Sequence, residues 1–313
     1  MEYSHTSVML NETLDMLNLE RNLDGVYLDG TLGGAGHSRE LLSRLSNNGS
    51  LICIDRDRAA LENAGRILYP FFGKYILVHG NFRDAGDIIR KLNIENISGA
   101  ILDLGVSSHQ LDNPERGFSY MENAKLDMRM NSWDELTAYD VVNEYDPEIL
   151  AGIIYKNSDE RWAKRIAEFV AAERRIKPIE TTRELVSVIK KAIPKSARQE
   201  GPHPARRTFL AIRREVNGEI SALEKSIYGI AEALEPGGRL CIISFDSIED
   251  RTVKNAFRKL ENPCVCPPEF PICVCGGKPT VRIVTKRPLA PSEGETAANR
   301  RSRSAKLRVC EKL

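Results

Sequence analysis

Four short apolar runs punctuate the first third of the chain, at residues 26–29, 50–55, 75–79 and 99–103, and amphipathic stretches at 38–45, 58–68 and 83–92 separate them. Strand alternating with crossover helix is the pattern of a parallel, doubly wound sheet. The next strand-like run, 239–245, comes more than a hundred residues later, so the sheet is interrupted. The interruption reads as helical. Trp162, Ile166, Phe169 and Val170 recur at helical spacing until Arg174, Arg175 and Pro178 close the segment. Thr181 and Glu184 have capping-box spacing ahead of an apolar stripe of Leu185, Val188, Ile189 and Ala192. Phe209, Ile212, Val216, Ile220, Leu223, Ile227, Ile230 and Leu234 step by three or four, which predicts one long helix leading back to the sheet and stopping at Gly237-Gly238. Two late runs, 281–285 and 306–310, offer a terminal antiparallel pair. The expected fold class is therefore α/β, a mostly parallel sheet with a terminal antiparallel pair plus an inserted all-helical domain. The boundaries put one discontinuous domain at 1–112 and 214–313 and the insertion at 113–213.

Length and composition narrow the class. A chain of 313 residues exceeds a usual single core, and 42% hydrophobic with 28% charged residues is ordinary for a globular protein. No apolar stretch approaches the roughly 18 residues needed to span a bilayer. The first residues lack the basic start and cleavage site of a secretory signal, so a cytoplasmic protein is expected, with no membrane partner. Seven cysteines, an odd number in a reducing compartment, argue for thiols rather than a disulfide framework.

Net charge is only +1, but it is unevenly spread. Residues 161–214 hold 15 Lys or Arg against 5 Glu, and residues 300–312 hold six basic residues and one acid. Such runs suit a phosphate backbone, although either alone could be a solvated helical face.

Candidate chemistry begins where the first strand ends. The segment DGTLGGAGH brings Asp29 and then Gly30, Gly33, Gly34 and Gly36 to a strand-to-helix turn, where backbone can approach a ligand and helix N–H groups are free. The spacing is not the dinucleotide fingerprint G-x-G-x-x-G, because Arg39 stands at the third position. Asp55 ends the second strand, where an acid can accept both hydroxyls of an adenosine ribose, a feature that nicotinamide and adenosylmethionine enzymes share. Asp29, Asp55, Asp57, Asp84 and Asp103 all belong at the C-terminal edge of the sheet, with Asp57 best placed as a helix cap. So many carboxylates would repel a pyrophosphate and favour a cation. Phe82, after the third strand, could stack on adenine or belong to the core. Cys264, Cys266, Cys273 and Cys275 form C-x-C…C-x-C. One residue between paired cysteines is fewer than structural zinc usually has, so the prolines and glycines around them are read as an irregular loop and no metal is assigned.

HTSVMLNE, DGTLGGAGHS, DRD, HGNF, ILDLGVSSHQLDNPERGFSY, LDMRMN, ERWAKRIA, HPARRTFLAIRREVN, PGGRLCIISFDSIEDR, CxCPPxxPxCxCG and NRRSRSAKLRV follow one another along the whole chain. In this order they closely resemble the bacterial 16S rRNA cytosine-N4 methyltransferases, the RsmH or MraW family. The resemblance implies a class I, Rossmann-like methyltransferase domain with an inserted helical domain for RNA recognition. It also implies S-adenosyl-L-methionine as cofactor and N4 of a cytidine in the decoding region of small-subunit rRNA as target. Carried over by residue, it assigns the cofactor to Ala35, Gly36, His37, Asp55, Phe82, Asp103 and Gln110. The target amine falls near Asp103 and Ser107, with Asp103 alternatively serving the cofactor. His37 is expected as a cofactor contact rather than a base.

Three positions depart from the family pattern: Ser7 and His109, where proline is common, and Asp246, where histidine is expected. If position 246 touches the base, an aspartate there alters rate or pH dependence. The partner is expected to be 16S rRNA or the small ribosomal subunit and not DNA, gripped through Arg206 and Arg207 of the insertion and Arg301, Arg303 and Lys306 of the tail. Two other functions stand beside this one: a non-catalytic RNA-binding or assembly factor, for which Asp246 speaks, and an NAD-dependent oxidoreductase, whose phosphate-binding glycines this loop spaces incorrectly. Oligomeric state is not legible.

Overall fold

The computed structural model describes residues 7–198, 203–267 and 274–313. Seven strands, β1 (Val26–Asp29), β2 (Ser50–Asp55), β3 (Tyr75–His79), β4 (Ile97–Asp103), β5 (Leu234–Ser244), β6 (Val281–Ile283) and β7 (Lys306–Lys312), form one sheet in the order β3-β2-β1-β4-β5-β7-β6. β1 to β5 pair in parallel, and β7 runs antiparallel to both of its neighbours, β5 and β6. The expected late pair is therefore present, with the last strand inserted inside the sheet.

The chain divides into two compact units, Met1–Gly105 with Ile220–Leu313, and Val106–Glu219. The second takes in seven residues before 113 and six after 213.

In the first unit both sheet faces are covered, which is why its strands read as continuous apolar runs. Tyr27, Leu51, Cys53, Ile101, Cys241 and Ile243 point into one core with Leu41 and Leu42 of the helix Gly36–Arg44. Their neighbours Leu28, Ile52, Ile54, Leu102 and Ile242 point into the other, against Ile227 and Phe257. Strand order reverses at β1, which has β2 on one side and β4 on the other. The crevice at the carboxyl ends of such strands is where open α/β sheets bind ligands.

The second unit is helical, with its own core of Val141, Ile154, Ile166, Leu185, Ile189, Phe209 and Ile212. Thr181 and Glu184 cap the helix Thr182–Ala192 reciprocally, at 3.2 and 3.0 Å. Thr137 and Asp140 do the same for Ala138–Glu144. The long helix expected through 209–234 is two helices, Arg206–Asn217 and Glu219–Ala233. The break is Gly218, whose φ of +59° leaves the right-handed helical region at little cost only for a residue without Cβ. Asn217 fixes the end: its Nδ2 donates to the Met128 carbonyl and its Oδ1 accepts from Met130 N–H, both at 2.8 Å.

Candidate functional site

The carboxyl ends of β1, β2 and β4 each deliver an aspartate, and each is held differently. Asp29 is buried and satisfied, accepting from Ser38 Oγ at 2.6 Å and from Thr31 N–H at 3.0 Å. Burial nevertheless raises its proton affinity above the usual carboxylate range. Asp55 accepts one N–H on each oxygen, from Gly33 at 2.8 Å and from Asp57 at 2.8 Å. Burial pushes its pKa up to about 6; the two N–H groups oppose the rise, and the neighbouring Asp57 and Asp29 charges add to it.

Asp103 is the least compensated of the three. Its backbone N–H donates to Thr31 Oγ1 at 2.6 Å, but its side-chain Oδ1 is buried with no hydrogen-bond partner, although the side chain as a whole is 19% exposed. Burial first, and then the charges of Asp29, Glu249 and Glu295, push its pKa up to about 8. Among the described residues no lysine or arginine pairs with Asp29, Asp55 or Asp103. Asp84 stands apart in this respect, paired with Arg83 and Lys225 and held below the ordinary range. Asp57 caps the helix Arg58–Ile67 through Ala59 N–H.

The glycine-rich turn joins β1 to the helix Gly36–Arg44. Ala35 precedes that helix with φ +59° and is fully buried. At Gly36 a Cβ would overlap the Ser7 side chain, so glycine lets residues 7–9 lie against the helix start. The His37 ring is buried beside them: Nε2 lies 3.1 Å from the Val8 carbonyl, and Nδ1 lies 3.8 Å from Asp103 Oδ2. A carbonyl can only accept, so Nε2 carries a proton and Nδ1 faces the carboxyl. Phe82 opens the turn after β3, with its Cβ against Gly30 at the end of β1. Ala35, Gly36, His37, Asp55, Phe82 and Asp103 thus gather at one sheet edge.

Ser107 and Gln110 belong to the helical unit. The Ser107 hydroxyl accepts from Gln110 N–H at 3.2 Å, and Gln110 Oε1 accepts from Ser107 N–H at 3.1 Å. This is an S-x-x-Q capping box on the short helix Ser108–Asp112, a role that the spacing of Ser107 and Gln110 in the sequence permits.

Two acids in the field of Asp103 escaped the sequence reading, because they come from distant parts of the chain. Glu249 is buried and accepts from Phe245 N–H at 2.8 Å. Glu295 accepts from Met9 N–H at 2.7 Å. Each stands three residues after a helix-capping side chain, Asp246 and Ser292, and that spacing was the available signal. Asp246 itself caps the helix Ser247–Glu261, accepting from Ile248 N–H at 2.8 Å and Glu249 N–H at 3.2 Å.

The basic residues divide into structural and exposed sets. Arg214 is buried and donates to the Asn157 carbonyl, Arg213 makes a bidentate pair with Glu219, and Arg174 donates to the carbonyls of Val142 and Tyr145. Lys306 pairs with Asp250 at 3.4 Å. Arg206, Arg207, Arg301 and Arg303 are exposed, and Arg207 also donates from Nη1 to the Asp159 carbonyl at 3.5 Å. Among the described residues no helix is long and apolar enough to cross a membrane.

The MraW methylase family matches residues 2–313. The protein named Ribosomal RNA small subunit methyltransferase H in Clostridioides difficile (strain 630) is 51% identical over 313 residues, covering 100% of both chains. Its namesake in Clostridium botulinum (strain Kyoto / Type A2) is 52% identical over the same span, again covering 100% of both. Among solved structures, a proposed rRNA methylase from Clostridium thermocellum aligns over 99% of this chain and 100% of its own, with a TM-score of 0.46 and 10% identity.

Proposed function

The chain belongs to the MraW methylase family, and from that premise we propose that it methylates N4 of a cytidine in 16S rRNA of the small ribosomal subunit, in the cytoplasm, using S-adenosyl-L-methionine. The observation that carries the reading is the uncompensated carboxylate group at the ends of β1, β2 and β4, above all the partnerless Oδ1 of Asp103. Such a site disfavours phosphate and suits a ligand carrying an ammonium and a sulfonium.

The residues present fit that cofactor. Asp55 spends one lone pair of each oxygen on backbone N–H groups and keeps the others for ribose hydroxyls. Asp103 has an oxygen free for a cationic donor, and Phe82 offers an aromatic face for adenine. The turn through Ala35, Gly36 and His37 lets backbone approach the ligand. Bound there, S-adenosylmethionine supplies a methyl group already activated by positive sulfur.

What remains for the chain is alignment and proton handling. The exocyclic amine of cytosine is a weak nucleophile, because its lone pair is delocalised into the ring. A hydrogen-bond acceptor on N4 localises that pair, and the same acceptor takes the proton the amine sheds. Asp103, whose buried carboxyl becomes charged when a cation binds beside it, is our candidate acceptor at its Oδ oxygens. Ser107 and Gln110 enter the proposal from the family resemblance, which puts Ser107 at the amine and Gln110 at the cofactor. With its Oδ1 accepting two N–H groups as a helix cap, Asp246 has a structural role of its own and gives no reason to read the protein as a non-catalytic assembly factor.

The test is transfer of a labelled methyl group from S-adenosylmethionine to small subunits or their RNA from cells lacking the enzyme, followed by digestion to nucleosides. Label in N4-methylcytidine is expected. Label in another nucleoside, or none, would overturn the reading.

A further inference from the structure

Between the helix Ser247–Glu261 and β6 the chain makes an excursion with no regular structure among its described residues. Its base is pinned: Thr280 N–H donates to the Leu260 carbonyl at 3.0 Å, and Ile283 N–H to Glu261 Oε1 at 2.7 Å.

Inside the excursion the sulfur atoms of Cys264, Cys266 and Cys275 all lie within 4.8 Å of one another. Two features mark this as an organised cluster. First, Val265 and Val274, each flanked by cysteines in the sequence Cys-Val-Cys, are 83% and 72% exposed. In extended chain alternate side chains share a side, so thiols at i and i+2 converge while the residue between them points away. The sulfurs converge on one another while the valines between them face away, although Cys264 and Cys275 are themselves exposed and no burial drives the convergence. Second, the backbone N–H of Val274 donates to Cys266 Sγ at 3.3 Å. A donor aimed at sulfur stabilises the thiolate, the form that binds metal.

We propose that Cys264, Cys266 and Cys275 hold a zinc ion that staples this excursion. Zinc bonds thiolate sulfur at about 2.3 Å, so tetrahedral ligands stand about 3.8 Å apart, and sulfurs within 4.8 Å need only a small closure. Thiolate ligation favours soft or borderline metals over magnesium or calcium. Three thiolates leave one position on a tetrahedral ion; the sequence also contains Cys273, which lies outside the described residues. The one-residue spacing that argues against zinc in the sequence concerns ligands paired along the chain, whereas here the third thiolate comes from across the loop.

The experiment is elemental analysis of the full chain purified under reducing conditions without added metal. About one zinc per chain is expected, together with resistance of these thiols to alkylation until a chelator is added. The double variant Cys264→Ser/Cys266→Ser should fall to near zero zinc while keeping its S-adenosylmethionine affinity and far-ultraviolet circular dichroism, which separates loss of metal from loss of fold. Wild-type chain that carries no zinc and develops no thiolate-to-metal absorption with cobalt(II) would overturn the proposal. So would iron with inorganic sulfide in its place.

Discussion

In the proposed site Asp103 is the carboxyl whose buried Oδ1 has no hydrogen-bond partner. Without a ligand its carboxyl holds a proton up to about pH 8, because burial and three neighbouring acids oppose its charge. A cation binds the charged form, so proton and ligand compete. Affinity for S-adenosylmethionine should therefore weaken roughly tenfold per unit as pH falls from about 7.5 to about 6. Below that the fall should steepen as Asp55, raised to about 6, also takes up a proton. The sign for stability follows from the same shift. Between the ordinary carboxyl value near 4 and the folded value near 8, the folded state holds a proton that the unfolded chain has shed. The stability this confers is full at acid pH and lost as pH rises towards 8. Asp103→Asn should thus raise the unfolding midpoint of the ligand-free protein, most of all near pH 8, and flatten the pH dependence of whatever ligand binding survives. Calorimetry across this range showing constant wild-type affinity would refute the assignment.

At the scale of elements, much was legible and the misses have causes. β1, β2 and β3 begin and end where the apolar runs do, since each stops at a polar residue that feeds a turn. The Thr181–Glu184 capping box was likewise plain. The apolar stripe from Phe209 to Leu234 was not wrong in period, but periodicity is blind to a single left-handed residue, and Gly218 divides it. The site was legible where it follows strand ends, as at Asp29, Asp55 and Asp103. It was illegible where the fold imports Glu249 and Glu295 from elsewhere in the chain. Charge runs were also ambiguous, because Arg174, Arg213 and Arg214 serve the helical core while Arg206 and Arg207 face solvent at the start of the helix Arg206–Asn217. This division permits a test of RNA grip, with the Arg207 contact to the Asp159 carbonyl as the structural alternative. Replacing Arg206 and Arg207 together by Ala should weaken RNA binding and reduce the log–log salt slope by roughly one unit per lost phosphate contact. S-adenosylmethionine affinity should not change. A lowered unfolding midpoint with the slope intact would return both arginines to a structural role.

Taken whole, the molecule pairs a contiguous helical unit with a unit assembled from two distant stretches of chain. The helical unit needs only residues 106–219, whereas the sheet needs β7, residues 306–312, seated between β5 and β6. Leu307 and Val309 of that strand are fully buried, and Arg308 is locked to Asp250 at 2.6 and 3.2 Å. Synthesis proceeds from the N-terminus, and units fold as they emerge. Ribosome-bound chains arrested before residue 306 should therefore contain a protease-resistant helical unit and a sheet region that is digested. Equal resistance of both would show that β7 is dispensable for closure. If closure does wait for β7, the carboxylates of β1, β2 and β4 are brought to their final places only after residues 306–312 have left the exit tunnel. A nascent copy that has not yet exposed residues 306–312 would then carry no finished site, however completely its helical unit has folded.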